Sequence, residues 1–178
     1  MASVLKFDGG AVDVDFITDA AYHLTGWAPA VATRRMGDLA GRGLFHDVDE
    51  TMTVSITGAS ALAKLESLME VMDEAARWAR GEPQAAVLLK YKPTASSEEM
   101  HAVVMGPPSS GGPMVTLPPN FPLSAATQAI DPVTVRFRRS ALWLGGVTTV
   151  TATTTNNPQV KTHAGFAYPE IASPVKLQ

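Results

Sequence analysis

One stretch of this chain, residues 61–80, has the period of an amphipathic helix, and nearly everything around it reads as short strands and turns. Leu62, Leu65, Leu68, Met69, Met72, Ala75, Ala76 and Ala79 recur at three- and four-residue steps and form one apolar stripe. Lys64, Glu66, Glu70, Asp73, Glu74 and Arg77 take the opposite side. Ser60 is placed to cap the first turn and Gly81 to stop the last. At 1.5 Å per residue such a helix is roughly 30 Å long, enough to lie across a whole sheet. A helix with one apolar side needs an apolar surface to cover, so the strands must supply a sheet with one greasy face. A Leu and Met stripe at this spacing is core packing, not a cofactor box.

The strands follow from period-two patterns. Residues 51–57 alternate without a break, with Met52, Val54 and Ile56 facing in and Thr51, Thr53, Ser55 and Thr57 facing out. Around the Gly9-Gly10 turn, residues 4–7 and 12–17 predict two short paired strands. Val12, Val14 and Phe16 share one face there, and Asp13 and Asp15 share the other as a solvated acidic edge. Residues 86–92 and 100–105 predict a hairpin, and residues 133–139 a long strand with Val133, Val135 and Phe137 inward, running on into an apolar end at 141–146. The Gly- and Pro-rich stretch 106–122 reads as a surface loop holding a short strand at 114–117. No repeat recurs, and no alternation of strand and helix is present of the kind a parallel sheet requires. The prediction is a mainly β fold, an antiparallel β-sandwich flanked by one long α-helix. It would occupy residues 1–146, followed by a Thr- and Pro-rich arm or edge strand at 147–178.

Segment 22–45 is read as a long loop or arm, broken by Gly26-Trp27-Ala28-Pro29 and again by Gly37, Gly41 and Gly43. A loop of that length is expected to order against a neighbouring subunit. Trp27, Arg34, Arg35, Gly41 and Gly43 are therefore candidate interface residues, together with Trp143 at the apolar end of the long strand. Composition points the same way. Only 17% of the residues are charged, against about a quarter in an ordinary soluble domain, so part of the uncharged surface is expected to face partner subunits.

Candidate chemistry is sparse. The absence of cysteine excludes a disulfide framework, a thiolate metal site and a Cys nucleophile. Neither a nucleophile elbow nor a phosphate-binding loop occurs, and Gly41-Arg42-Gly43 lacks the third Gly and the following helix of a dinucleotide fingerprint. His23, His46, His101 and His163 stand singly. His46 with Asp47, Asp49 and Glu50 is the best local cluster, but it lacks the ligand spacing of a calcium loop and reads as a solvated turn. Asp15 and Glu50 are a conceivable acid–base pair that nothing in the sequence brings together. The expectation is no catalytic residue, no cofactor and no bound metal. A net charge of -3, with Lys and Arg adjacent only as Arg34-Arg35 and Arg138-Arg139, argues against a basic nucleic-acid face. No apolar run is long enough to span a bilayer, and the amino terminus lacks a basic segment followed by an apolar one, so folding in the cytoplasm is expected.

Over residues 51–145 the succession is an alternating strand, a Gly-Ala-Ser lead-in to one long helix, a strand, its hairpin mate, and a strand closing on Ala141-Leu142-Trp143-Leu144-Gly145. This order resembles the distal tail and tail tube proteins of long-tailed phages. The resemblance implies a structural virion protein, made in the host cytoplasm, that forms a homo-oligomeric, hexameric ring in a phage tail. It would contact other tail proteins and pass DNA through a central channel without binding it specifically. A mildly acidic subunit suits such a conduit. Three other readings compete: a different virion part such as a neck or capsid decoration protein, a ligand-binding sandwich, and an enzyme. The three tryptophans fall in different kinds of element, which gives a ligand-binding aromatic face little support.

Overall fold

The computed structural model describes residues 3–30, 46–119, 121, 127–145, 149–152 and 159–162. Its elements are β1 (Val4–Asp8), β2 (Asp13–Asp15), β3 (Tyr22–Gly26), β4 (Val48–Thr57), α1 (Ala61–Ala79), β5 (Leu88–Lys92), β6 (Met100–Gly106), β7 (Val115–Thr116), β8 (Ala129–Arg139), β9 (Thr149–Ala152) and β10 (Gln159–Thr162).

The frame is set by β4 and β8, which pair antiparallel from Val48↔Arg139 to Thr57↔Ala129. β4 alternates along that length, and β8 does so on either side of a register shift at Asp131–Pro132. Val48, Glu50, Met52, Val54 and Ile56 of β4 are buried, as are Ile130, Val133, Val135, Phe137 and Arg139 of β8. Slipping the register by one residue would turn every one of these side chains outward, so the hydrophobic pattern pins it. The main sheet has the order β2-β1-β5-β6-β8-β4-β3, with β7 also pairing β8, and β9 and β10 pair with each other. All of these pairings are antiparallel.

The molecule is thus mainly antiparallel β with a single helix among the described residues. β6 pairs β5 on one side and β8 on the other, which joins what a sandwich would keep as two sheets into one. That sheet is strongly curled. The rings of Phe7 in β1 and Phe137 in β8 meet edge to face at 5.3 Å, although three strand spacings, about 14 Å, would separate those strands in a flat sheet. Phe16 stands edge-on to Phe7 at 5.6 Å and completes the centre of the core.

The helix fills the concave side. Ala61, Leu65, Leu68, Val71, Met72 and Ala75 are its buried residues, and they belong to one cluster with the inward residues of the strands. Met69, expected in the stripe, is 49% exposed. Val71 takes the inward place, because the buried stripe runs along the 68, 71, 72, 75 row and leaves position 69 on its flank. At its carboxyl end the helix runs close to β6. A Cβ on Gly106 would lie 2.7 Å from the Ala79 Cβ, and Gly106 has a φ of +97°, so glycine is required twice over. Gly81, with φ +83°, ends the helix as its sequence position implies. Ser60 sits at the amino-terminal cap position, but its hydroxyl makes no capping hydrogen bond.

Candidate assembly edge and the buried anchor behind it

β2 and β3 are the two ends of the curled sheet, and they differ in kind. β2 is three residues long and carries Asp13 and Asp15. Lys6 Nζ lies 3.3 Å from Asp13 Oδ2, and the N–H groups of Ile17 and Thr18 donate to Asp15 Oδ1 at 2.8 and 2.9 Å. A short, charged edge resists pairing with another strand. β3 reads Tyr22-His23-Leu24-Thr25-Gly26, without a carboxylate, Lys, Arg or Pro. His23, Thr25 and Gly26 are exposed. Among the described residues no strand pairs with the outer side of β3. Its one blunting feature is a bulge between Leu24 and Gly26. The sequence had suggested irregular chain from residue 22 onward; the strand forms because Tyr22 and Leu24 alternate inward while β4 offers a full-length partner.

This edge is held firmly from behind. Tyr22 is buried, its ring edge-on to Phe16 at 5.7 Å and its hydroxyl donating to the Lys64 carbonyl at 2.6 Å. His23 Nε2 and Thr57 Oγ1 share a hydrogen bond of 3.0 Å, and the Thr25 hydroxyl donates to the Thr53 carbonyl at 3.1 Å. Lys64 Nζ reaches back to Asp19 at 2.5 Å and ties the turn before β3 to the helix.

These contacts set the carboxylates. The hydrogen-bonding Lys64 ammonium, followed by the Ala21 N–H, holds Asp19 below the ordinary range. Burial works to raise Asp15 and Asp8, but the Thr18 and Ile17 N–H groups outweigh it at Asp15, and Lys90 with Asp13 and Lys6 outweighs it at Asp8. Burial, with the Asp19 charge, pushes the Tyr22 phenol up. A carboxyl held lower in the folded than in the unfolded chain adds stability that is fully present above its unfolded value, near 3.9 for Asp. That stability drains as pH falls through the folded value. Calorimetry is therefore expected to show a Tm insensitive to these groups above about pH 5 and falling below about pH 4. Asp19→Asn should flatten part of that acid limb; an unchanged limb would assign it elsewhere.

At the far end of β4 the inward alternation continues into charge. Glu50 and Arg139 both point into the core, with side chains 1% and 0% exposed, and Arg139 Nε donates to Glu50 Oε1 at 2.8 Å. Each remaining polar atom of the pair is used. Glu50 accepts from Trp27 Nε1 at 3.1 Å and from the Ala30 N–H at 3.0 Å. Arg139 donates to the carbonyls of Ala30, Ser140 and Ala141 at 2.5, 2.9 and 3.3 Å. The guanidinium carbon lies 4.7 Å from the Trp143 ring centroid, and Tyr91 bridges Trp143 and Trp27 at 5.9 and 5.1 Å. One ion pair thus fixes the chain at 27–30, just before segment 31–45, and at 140–143, just before the chain leaves the main sheet.

No family model, curated protein or solved structure matches this chain. Of the expected interface residues, Trp27 and Trp143 are brought together on this anchor. Trp143 is only 8% exposed and Trp27 is half-buried, so both are engaged within the chain. Arg34, Arg35, Gly41 and Gly43 lie outside the described residues. The acidic cluster at 46–50 comes apart, because residues of a strand alternate sides. Asp49 accepts from the Ser109 N–H at 2.9 Å and from its hydroxyl at 3.1 Å, Asp47 lies 3.9 Å from Arg138, and Glu50 turns inward. The sequence offers Glu50 only as a member of that acidic cluster and as a conceivable partner of Asp15, and Arg139 only beside Arg138; it does not pair the two. Their signal was there: each stands two residues beyond an inward apolar run, in phase with it.

Proposed function

We propose that this chain is a structural subunit, not an enzyme, that assembles with copies of itself as a ring component of a phage tail, in the distal tail or tail tube. The observation that carries the self-assembly reading is β3, a strand edge that is rigidly backed, exposed and free of charge, at the end of a sheet whose other edge is blunted by Asp13 and Asp15. An edge of that kind left open is an aggregation hazard, and a strand from a neighbour removes the hazard by completing the ladder. The order of elements from β4 through α1, β5 and β6 to β8 supports the tail setting, in the way the resemblance of the sequence does. In that setting six copies would surround the DNA channel and meet other tail proteins above and below.

Light scattering with negative-stain imaging tests the proposal, with closed rings or stacked tubes as the expected particles. A monodisperse monomer at high concentration would overturn it. Thr25→Lys, which puts a charge on the β3 edge, is expected to shift the distribution toward monomer. It should cost the isolated fold about 0.5–1.5 kcal/mol, the loss of the Thr25 hydroxyl's hydrogen bond to Thr53.

A further inference from the structure

β9 and β10 make a two-stranded sheet, paired from Thr149↔Thr162 to Ala152↔Gln159, and among the described residues they hydrogen-bond to no other strand. A lone two-stranded hairpin is marginally stable in water and needs a further strand or an apolar support. Among the described residues the chain therefore carries both a strand pair lacking a sheet and, at β3, a sheet edge lacking a strand.

In one copy the two lie well apart along the sheet. Leu144, the last residue bridged to the main sheet, pairs with His101. His101 is three residues along β6 from Val104, which faces Arg139. Arg139 is in turn five residues along β8 from Thr134, at the level of Thr53 and its partner Gly26, the near end of β3. At 3.3 Å per residue those two levels lie about 26 Å apart along the strands. The five residues from Leu144 to Thr149 span at most roughly 18 Å fully extended.

We propose that the β9–β10 hairpin of one copy adds to the β3 edge of the next, and that this is the joint of the assembly. The inference rests on the self-assembly reading and names the partner of its open edge. Lengths match, four-residue strands against a five-residue edge. Charge does not oppose the pairing, since the hairpin strands contain only Lys161 and β3 contains no Lys, Arg, Asp or Glu. Donor and acceptor are different surfaces of one chain, so each copy gives one hairpin and receives one. Such a head-to-tail contact closes into a ring, of which the reciprocal dimer is the smallest, or runs on as a filament.

Because the chain has no cysteine, introduced thiols report cleanly. Single-Cys variants His23→Cys and Thr25→Cys would be mixed in turn with single-Cys variants at each position of β9 and β10, assembled and oxidised. The expected result is a disulfide between different chains in at least one crossing. Chains carrying both cysteines should form no internal link at high dilution. Thr151→Pro, which removes a backbone N–H from β9, should raise the monomer fraction at least tenfold while leaving the Tm of the monomer unchanged. Rings or tubes with no cross-link in any crossing would overturn the joint and leave self-assembly standing, as would an internal link at dilution. A wild-type chain that stays monomeric would overturn self-assembly and the joint with it.

Discussion

Arg139→Leu is expected to destabilise the fold by about 3–5 kcal/mol, because it strands a carboxylate in the core. Glu50 is 2% exposed, and its guanidinium partner at 2.8 Å would be gone. Three backbone carbonyls, of Ala30, Ser140 and Ala141, would lose a donor at the same time. Chemical denaturation of the two chains measures the difference, which is a large share of the roughly 5–15 kcal/mol that holds an ordinary domain together. Combining the change with Glu50→Leu removes the unpaired charge, so the double variant should be more stable than Arg139→Leu alone. It should still fall short of wild type, since the Trp27 Nε1–H and the Ala30 N–H then lack an acceptor, and each buried orphan costs about 1–3 kcal/mol. If Arg139→Leu costs less than about 1 kcal/mol, water reaches the site and the pair is not the buried anchor described here.

Phe7→Ala should cost about 3–5 kcal/mol, the range for removing a fully buried aromatic ring. Phe7 is wholly buried and stands edge to face with Phe16 and Phe137, so its ring holds β1, the segment after β2 and β8 around one point. In a flat sheet those strands would not meet. The ring therefore supports the curl as well as the core, and its loss should loosen the far side of the sheet. Faster amide exchange in β2 and in the turn before β3, beyond that in β4, would accompany the lower Tm. Equal exchange throughout would mean that the curl is held by other contacts.

Much of the architecture could be read from local pattern. The helix at 61–80, the alternation at 51–57 and 133–137, and the hairpin at 86–105 all appear in place, because spacing along a short segment dictates which face can be buried. Reading β3 as loop was an error of context. Five residues beside Gly26 and Pro29 carry too little pattern to outweigh the turn signals, and only the length of β4 beside them makes a strand. Assigning residues 46–50 to a solvated turn failed for a related reason, since a Glu in phase with apolar neighbours is a core residue only if a cation meets it there. That cation is Arg139, 89 positions away.

By itself, then, the sequence determined the helix at 61–80, the inward faces of the long strands and the absence of any thiol chemistry. Tertiary structure alone decided that the strands form one curled sheet, that Glu50 and Arg139 meet inside it, and that among the described residues β3 is an edge no strand pairs while β2 is closed off by charge. The physical reason is range. Backbone periodicity is written in neighbouring residues, whereas pairing across the sheet depends on chain closure over dozens of residues and on which buried charge finds its partner.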